Sequence, residues 1–470
     1  MGLLVQARSA HATHCVTHRG DGDATGRTLA DVTDTVAPLR GPLRLVAQSV
    51  PLDEATLDGV PLTHLLPADG GLAWVRDGDG LVAWGEAARL ETTGAQRFAD
   101  AGAWWREVSA HAVVRDKVEV AGSGLVAFGS FAFGDTSGVS RGRRAGSSVL
   151  VVPSVVVGRR AGTTWVTTIR ESALAPTPQI RPTDEPVSPE GVAFADGSTS
   201  GAQWESIVSE AVRRIAAGDL DKVVLARDLV AELAAPLDAR APVRRLAEAY
   251  PNCWTFHVDR LFGATPEMLV RRERGLVTSR VLAGTIRRTG DDTRDLALAG
   301  SLARSSKDLE EHEYAVRSVA DALEPYCSSM NVPEAPFVLH LPNVMHLATD
   351  VAGVVDAGHE TASALELAAA LHPSAAVGGT PRAEALALID EIEKLDRGRY
   401  AAPVGWIDAD GDGEWGIALR SAEYDGARVR LFAGCGIVAD SDPEAELAES
   451  QAKLVPVRDA LAASEDDLPV

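Results

Sequence analysis

The stretch CWTFHVDRLFGATPEMLVRRERGLVTSRVLAGTIRR, at Cys253–Arg288, predicts three successive strands. It is rich in β-branched and aromatic residues, and the tetrapeptide Arg-Glu-Arg-Gly suits a turn between the last two strands. A second run of this kind, PVGWIDADGDGEWGIALRSAEYDGARVRLFAGCGIV, covers Pro403–Val438. Helical spacing is predicted at about 305–325, 361–371 and 382–394. Strands that come in groups, rather than in strict alternation with helices, indicate an α+β fold with antiparallel sheets.

The N-terminal part of the chain divides into three segments by composition. Residues 1–40 are polar and rich in Gly, Asp and Thr, and we expect a variable segment that is partly disordered. Residues 41–171 contain short β-like runs, including a hairpin around Asp-Gly in LAWVRDGDGLVAWG, at Leu72–Gly85. Residues 172–203 hold five prolines among Ser, Thr and Gly, which predicts a loop.

Two helices frame the more regular region that follows, at 204–465. The run AQWESIVSEAVRRIAAGDL, at 202–220, has helical spacing and ends near a glycine. The last helix is expected to begin near Asp442, which suits the N-cap position, with Pro443 in the first turn.

Composition excludes several classes of protein. The 470 residues carry a net charge of −22, and such a field repels nucleic acid. An acidic protein that binds a small anion needs local help from a cation or from backbone N–H groups. The four cysteines are scattered without a CxxC motif, which favours a reducing cytoplasm over a disulfide framework. Neither a transmembrane helix nor a signal peptide is predicted.

Two predicted helices each carry a pair of carboxylates. In SSKDLEEHEYAV, at Ser305–Val316, Asp308 and Glu311 are three residues apart and therefore neighbours on the helix surface. Glu446 and Glu449 repeat this spacing in the last helix. Each pair alone fits a solvated face. Facing each other across a cleft, the two pairs would suit Mg²⁺, which prefers oxygen ligands.

Two further residues are candidates for acid–base chemistry. Lys222 lies on a hydrophobic strand, where a lysine usually extends its ammonium group to solvent. The alternative is a general base, which requires burial or neighbouring charge to lower its pKa. Glu267 opens an apolar strand and is either an ordinary strand-end residue or a general acid. The glycines of LAGT (282–285) and FAGCGIV (432–438) either form tight turns or bring backbone N–H groups to a ligand carboxylate.

Two metal-like motifs are not predicted to bind metal. DADGDGEWGIAL begins like a calcium loop, but its twelfth position is Leu419 where a bidentate Glu is required, so we predict a hairpin turn. HATHCVTH, at 11–18, has metal-like spacing but lies in a terminus that we expect to be mobile.

Taken in order, the motifs of the second half resemble the chorismate-utilising enzymes over about residues 205–460. The matching pieces are DKVVLAR, FGATPEML, LAGTIRR, SSKDLEEHEYAV, VMHLATDVAG, LHPSAAVGGTPR, DRGRYAAPVGW, IALRSA, LFAGCGIV and ELAESQAKL. The resemblance implies two antiparallel β-sheets flanked by helices, with the active site in the cleft between them. HLAT, at His346–Thr349, is similar to the isochorismate synthase branch. Ala283 stands where aminodeoxychorismate synthases often carry a nucleophilic lysine, and this fits direct attack by water.

The resemblance also implies roles for individual residues. Lys222 is implied as the base that activates water for attack at C2 of chorismate, and Glu267 as the acid that protonates the departing C4 hydroxyl. The carboxylates implied to bind Mg²⁺, directly or through water, are Glu311, Glu449, Asp308 and Glu446. The residues implied to bind the substrate are Gly284, Thr285, His346, Tyr400, Arg420, Gly434, Gly436 and Lys453.

Three functions stay open at this point. The first is an isochorismate synthase for menaquinone or siderophore biosynthesis, expected to be a monomer with no glutaminase subunit, no nucleic acid and no membrane as partners. The second is a salicylate synthase, which shares the first step and then eliminates pyruvate. The third is a non-catalytic subunit that binds chorismate, whose usual mark is a lost lysine or acid. Both Lys222 and Glu267 are present.

Overall fold

The computed structural model describes residues 43–462, apart from 54–56, 58, 136–138, 141–142, 145–146 and 357–361. The predicted N-terminal segment and its HATHCVTH motif lie outside these residues. No helix in the described part of the chain combines the length and the apolar character that crossing a membrane requires.

The described residues form strands and helices in mixed order. The helices are α1 (Arg97–Ala110), α2 (Gly201–Ala216), α3 (Arg240–Ala249), α4 (Asp292–Leu302), α5 (Ser306–Leu323), α6 (Ala364–Leu371), α7 (Arg382–Ile392) and α8 (Pro443–Leu461). The strands before α2 are β1 (Leu45–Pro51), β2 (Leu72–Arg76), β3 (Asp79–Trp84), β4 (Ala88–Thr92), β5 (Val113–Asp116), β6 (Val126–Ser130), β7 (Val139–Ser140), β8 (Arg143–Arg144), β9 (Ser148–Val152), β10 (Val155–Arg160), β11 (Thr163–Glu171) and β12 (Ala193–Asp196). The strands after α2 are β13 (Lys222–Glu232), β14 (Trp254–Val258), β15 (Leu261–Thr265), β16 (Met268–Glu273), β17 (Leu276–Arg287), β18 (Cys327–Asn331), β19 (Phe337–His340), β20 (Val344–Val355), β21 (Gly379–Thr380), β22 (Pro403–Asp408), β23 (Gly413–Ile417), β24 (Ser421–Asp425) and β25 (Arg428–Ile437).

Two large sheets confirm the α+β prediction. The thirteen-stranded sheet has the order β12-β13-β25-β24-β15-β14-β2-β3-β10-β11-β1-β5, and β21 pairs with β13. The ten-stranded sheet has the order β18-β20-β17-β16-β23-β22-β6-β9-β4, and β19 pairs with β20. The pairing of β1 with β5 is parallel, which departs from the predicted antiparallel sheets. Side chains from both sheets share one hydrophobic core, in which Trp74, Trp165, Trp406 and Trp415 are fully buried.

Both predicted meanders cross from one sheet to the other, which corrects the prediction of three strands in one meander. Cys253–Arg288 contains four strands: β14 and β15 lie in the larger sheet, and β16 and β17 lie in the smaller one. The crossing is at Pro266 and Glu267, where the sequence suggested one continuous strand. The second run crosses back between β23 and β24, through residues 418–420. The two crossings are adjacent, because the backbone N–H of Ile417 donates to the carbonyl of Glu267 over 3.2 Å.

Local sequence signals account for several turns and helix ends. The hairpin of β2 and β3 turns at Asp77 and Gly78, whose φ angles of 50° and 81° suit a two-residue turn with left-handed residues. Asp442 caps α8 by accepting from the N–H of Ala445, with Pro443 in the first turn, as predicted. The DADGDG segment is the predicted hairpin turn, in which Asp408 Oδ1 accepts from the N–H groups of Asp410 and Asp412. The Pro-rich segment is not entirely a loop, because it contains β12.

A buried ion pair completes the edge of β13 that carries Lys222. The pair is Glu393 with Arg397, whose side chains are 1% and 4% exposed, and Arg397 Nε donates to Glu393 Oε1 over 2.7 Å. Arg397 also donates to the carbonyl of Val224, and Glu393 accepts from the N–H of Ala226. On this side of β13, no described strand pairs with Val224 or Ala226. The two side chains therefore supply the hydrogen bonds that these backbone groups need.

We expect Arg397→Met to lower the free energy of unfolding by about 3–5 kcal/mol, because Glu393 would then be buried without its counter-charge. Arg317→Met is the matched control. Arg317 and Glu313 have the same i,i+4 spacing but are 60% and 67% exposed, so we expect a loss below about 1 kcal/mol. Urea denaturation followed by tryptophan fluorescence measures both. Equal losses in the two variants would contradict the structural role of the buried pair.

Candidate active site

The fourteen residues predicted for the site come together where the two crossings meet α5 and α8. They lie on elements that are distant in the sequence, and contacts link them into one group. Arranged by element, they are Lys222 on β13, Glu267 at the first crossing, Gly284 and Thr285 on β17, Asp308 and Glu311 on α5, His346 on β20, Tyr400 before β22, Arg420 at the second crossing, Gly434 and Gly436 on β25, and Glu446, Glu449 and Lys453 on α8.

Lys222 is the first residue of β13 and is 0% exposed, so it does not extend to solvent. Its Nζ lies 3.2 Å from Glu311 Oε1. The two groups form an ion pair, but their geometry is not that of a hydrogen bond. Gly436 on the paired strand makes room for this contact, because a Cβ there would overlap Glu311 Oε1 and lie 3.0 Å from Lys222 Cε. The glycine is therefore required by the close approach of the two charged side chains.

Glu267 is buried at the first crossing, with 4% of its surface exposed. Burial raises the pKa of this carboxyl to about 8, although the backbone N–H of Leu282 and the nearby charges of Lys222 and Arg420 act in the opposite direction. Glu267 is therefore largely protonated at neutral pH. A protonated carboxyl beside a buried lysine can supply an acid and a base at opposite sides of one ligand.

His346 links two of the predicted binding residues. Arg420 donates to His346 Nε2 over 3.1 Å, and His346 Nδ1 lies 3.1 Å from the hydroxyl of Thr285. Since a guanidinium can only donate, Nε2 accepts and the ring proton is on Nδ1. Burial, with the charge of Arg420, lowers the pKa of His346 well below its ordinary value. The imidazole is thus neutral, and it holds Arg420 in place.

Lys453 is anchored by two oxygen atoms. Its Nζ donates to the carbonyl of Gly434 over 2.9 Å and lies 2.6 Å from Glu449 Oε1. Burial opposes its charge, but Glu449 more than compensates and raises the pKa of Lys453. A Cβ at Gly434 would lie 3.1 Å from the hydroxyl of Tyr400, whose ring stacks on Phe432. Burial raises the pKa of Tyr400 to about 12, so its hydroxyl keeps its proton.

Four carboxylates from α5 and α8 form the acidic side of the site. Burial raises the pKa of Asp308, and the charge of Glu311 adds to the rise. Burial and the charge of Glu449 likewise raise the pKa of Glu446. A divalent cation would relieve this crowding of like charges, and the four residues offer the hard oxygen ligands that Mg²⁺ prefers. The chemistry of this donor set fits such a cation. Within the described residues, the group of ligand atoms close enough to share one ion consists of Glu446, Glu449 and Cys435, and Asp308 and Glu311 lie outside that group.

The sequence analysis did not identify Lys307, which contacts this group, or His312, which packs beside it. Lys307 Nζ donates to Glu446 Oε1 over 2.9 Å. His312 Nδ1 donates to the carbonyl of Ala283 over 3.2 Å, while its Nε2 accepts from Thr349 Oγ1 over 2.7 Å, so it fixes β17 next to the site. A lysine in the first turn of a helix was a usable signal for Lys307, because it opposes the helix dipole. No comparable signal marked His312, which is simply buried on the inner face of α5.

A cavity of about 1020 Å³ is separate from this site. It lies against α1, α6 and α7 and is lined by residues such as Phe98, His372 and Lys394. It contains none of the fourteen predicted residues. The candidate acid, base and metal-binding groups therefore lie outside this cavity.

Comparisons with known proteins agree with the geometry. Residues 74–462 match the family model described as chorismate binding enzyme. The salicylate biosynthesis isochorismate synthase of Pseudomonas aeruginosa is 42% identical over 266 residues, which are 56% of this chain and 55% of that protein. An isochorismate synthase of Bacillus subtilis is 37% identical over 262 residues, which are 55% of each chain. The chain thus matches just over half of the length of these two relatives.

A solved structure extends the likeness to nearly the whole fold. The menaquinone-specific isochorismate synthase of Escherichia coli has a TM-score of 0.71 to this chain with 25% sequence identity. The likeness covers 89% of this chain and 95% of that one. The N-terminal strands, where the sequence motifs were weak, therefore follow the same architecture.

The raised pKa of Glu267 predicts a dependence of stability on pH. The folded state keeps this proton up to about pH 8, whereas an unfolded chain releases it near about pH 4.3. Between these values the folded state binds more protons, so the contribution of Glu267 to stability falls as pH rises. Glu267→Gln removes that contribution. Between pH 5 and pH 8 we therefore expect the free energy of unfolding of the variant to rise by about 1–3 kcal/mol relative to that of the wild type.

Urea denaturation at a series of pH values measures this gain. Glu334→Gln is the control, because Glu334 is exposed and its substitution should leave the pH profile unchanged. A wild type and a Glu267→Gln variant with parallel pH profiles would show that Glu267 ionises normally.

Proposed function

The chain belongs to the chorismate-binding enzyme family, and from this premise we propose that it is an isochorismate synthase, an isomerase that converts chorismate reversibly to isochorismate. The observation that carries the proposal is a pair of buried groups, one on β13 and one at the first crossing. Lys222 is fully buried, and Glu267 is a buried carboxyl that keeps its proton at neutral pH. These are the two groups that the exchange of one hydroxyl for another requires.

In the proposed reaction, water attacks C2 of the ring and the C4 hydroxyl departs. In its neutral amine form, Lys222 Nζ takes a proton from the attacking water, and the new C–O bond forms at C2. Both ring double bonds shift by one position, from C1–C2 to C1–C6 and from C5–C6 to C4–C5. The C4–O bond breaks, and Glu267 gives its proton to the departing hydroxyl, which leaves as water. The composition of the ligand is unchanged, as an isomerisation requires. Acid and base assistance of this kind accelerates a reaction by roughly 10²–10⁴-fold.

Binding of the substrate carboxylates is assigned to groups that carry positive charge or free donors. Arg420, positioned by His346, and Lys453, anchored on Gly434, supply the charges. Gly434 and Gly436 let the ligand approach the backbone of β25 closely, because neither has a side chain. These local donors overcome the repulsion expected between a dianion and a protein of net charge −22.

We further propose that Mg²⁺ is the cofactor. Glu311 and Glu449 would hold it, with Asp308 and Glu446 beside them directly or through water. When bound, the cation supplies charge that orients a substrate carboxylate. The chain's own residues keep the acid–base roles described above.

Two features favour this branch over related reactions. Ala283, whose carbonyl accepts from His312, carries no amine that could act as a nucleophile, which supports attack by water. The relatives named above are isochorismate synthases of salicylate and menaquinone biosynthesis, so both pathways fit the proposal. We propose a monomer that needs no glutaminase subunit.

Product analysis tests the proposal. The purified chain is incubated with chorismate, with and without Mg²⁺ and with and without ammonium, and products are identified by chromatography with mass detection. We expect isochorismate in equilibrium with chorismate, dependent on Mg²⁺ and without pyruvate. Salicylate with pyruvate would assign the salicylate synthase reaction, anthranilate would assign an ammonia-dependent reaction, and no turnover would favour a chorismate-binding subunit.

We expect Lys222→Ala and Glu267→Gln each to reduce kcat by at least about 10²-fold with the fold intact, because each removes one proton-transfer group. In the wild type, kcat/KM should fall as pH rises above about 8, where Glu267 loses the proton that it must donate. Lys394→Ala, at an exposed lysine remote from the site, is the control. Activity near the wild-type level in either variant would remove that residue from the mechanism.

We expect Glu311→Gln to raise the Mg²⁺ concentration needed for half-maximal activity by at least about tenfold, because it removes a charged oxygen ligand. Glu313→Gln is the matched control, since Glu313 lies two residues along the same helix and is exposed. Mg²⁺ titrations of activity at fixed chorismate compare the two. An unchanged titration in Glu311→Gln would exclude a direct contact with the cation.

A further inference from the structure

Lys307 joins the two helices that carry the carboxylates. It lies in the first turn of α5, and its Nζ donates to Glu446 Oε1 over 2.9 Å, in the first turn of α8. Glu446 is 3% exposed, and the same oxygen atom accepts from the hydroxyl of Ser441 over 2.8 Å. The side chain of Lys307 remains 35% exposed. The ion pair therefore links α5 to α8, with its acidic partner buried and its basic partner partly exposed.

The position of Lys307 is unfavourable for the helix that carries it. The N-terminus of a helix repels a cation, because the helix dipole is positive at that end. Ser305 already caps the N-terminus of α5 by accepting from the N–H of Asp308, so the start of the helix does not depend on Lys307. The pair with buried Glu446 offsets this cost. A role at the acidic site, and not helix stability, thus accounts for the lysine.

In the described part of the chain, three ammonium groups each pair with one glutamate of the acidic site. Lys222 pairs with Glu311, Lys453 pairs with Glu449, and Lys307 pairs with Glu446. The charges of Glu311 and Glu449 also act on Lys307, so its ammonium lies in the field of all three glutamates. The proposed reaction gives Lys222 and Lys453 other tasks. Lys307 has no part in proton transfer or in binding substrate.

We propose that Lys307 is a resident counter-cation of the acidic site, which holds Glu446 in place before a divalent cation arrives and competes with that cation for it. This inference rests on the proposed function for the identity of the cation. The two positive charges would lie within a few ångströms of each other, and such repulsion lowers affinity. Lys307 therefore limits the affinity of the site for Mg²⁺ and keeps its binding reversible.

Isothermal titration of the full chain with MgCl₂, without chorismate, tests the proposal. Lys307→Met keeps the length of the side chain and removes the charge, and we expect its Kd for Mg²⁺ to be about tenfold lower than that of the wild type. Lys307→Arg keeps the charge and should retain the wild-type Kd within about twofold. Lys394→Met, which removes an equal charge at a remote and exposed position, should also match the wild type.

The outcomes separate this proposal from the proposed function. A Kd in Lys307→Met that is equal to or higher than that of the wild type overturns the proposal, as does the absence of Mg²⁺ binding in both proteins. Tighter binding in Lys307→Met, with loss of binding in Glu311→Gln, supports it even if chorismate is not converted. In that last case the proposed function alone fails.

Discussion

The site depends on two chain crossings that lie side by side between the sheets. At the first, β15 ends in the larger sheet and β16 begins in the smaller one; at the second, β23 and β24 make the reverse passage. The hydrogen bonds from Ile417 to Glu267 and from Ala264 to Arg420 lock the crossings together. Neither crossing can move without breaking the pairing of β15 with β24 and of β16 with β23. Glu267 and Arg420 are therefore held at fixed positions by both sheets at once.

This arrangement explains how a strongly acidic chain can offer a site to an anion. The crossings and the helices bring buried charges together: Glu311 contacts the ammonium group of Lys222, Glu449 contacts that of Lys453, and the histidine beside Arg420 stays neutral. A buried ion pair adds little to stability, because desolvation cancels most of the attraction. These pairs thus keep charged groups in position in a low-dielectric environment, where electrostatic interactions with a ligand are strongest.

The sequence predicted the fold class and five of the eight α-helices in the described part of the chain, and its failures have physical causes. The run around Glu267 predicts strand on both sides of Pro266, and this pattern does not show a change of sheet because both halves remain β-structure. Glu393 and Arg397 have the same spacing as the exposed pair Glu313 and Arg317, so spacing alone cannot distinguish a buried pair from a surface one. Lys307 was missed because its partner Glu446 is 139 residues away.

Three residues of the site break local rules. Lys222 is a charged residue buried at the start of a strand, and Lys307 is a cation at a helix N-terminus. Arg420 has a left-handed φ of 49°, a conformation that costs a residue with a side chain roughly 1–2 kcal/mol. Each violation costs stability, and each places a charge where the two sheets and two helices meet. Departures from local preference that converge on one place indicate function, because a fold without a ligand has no physical reason to maintain them.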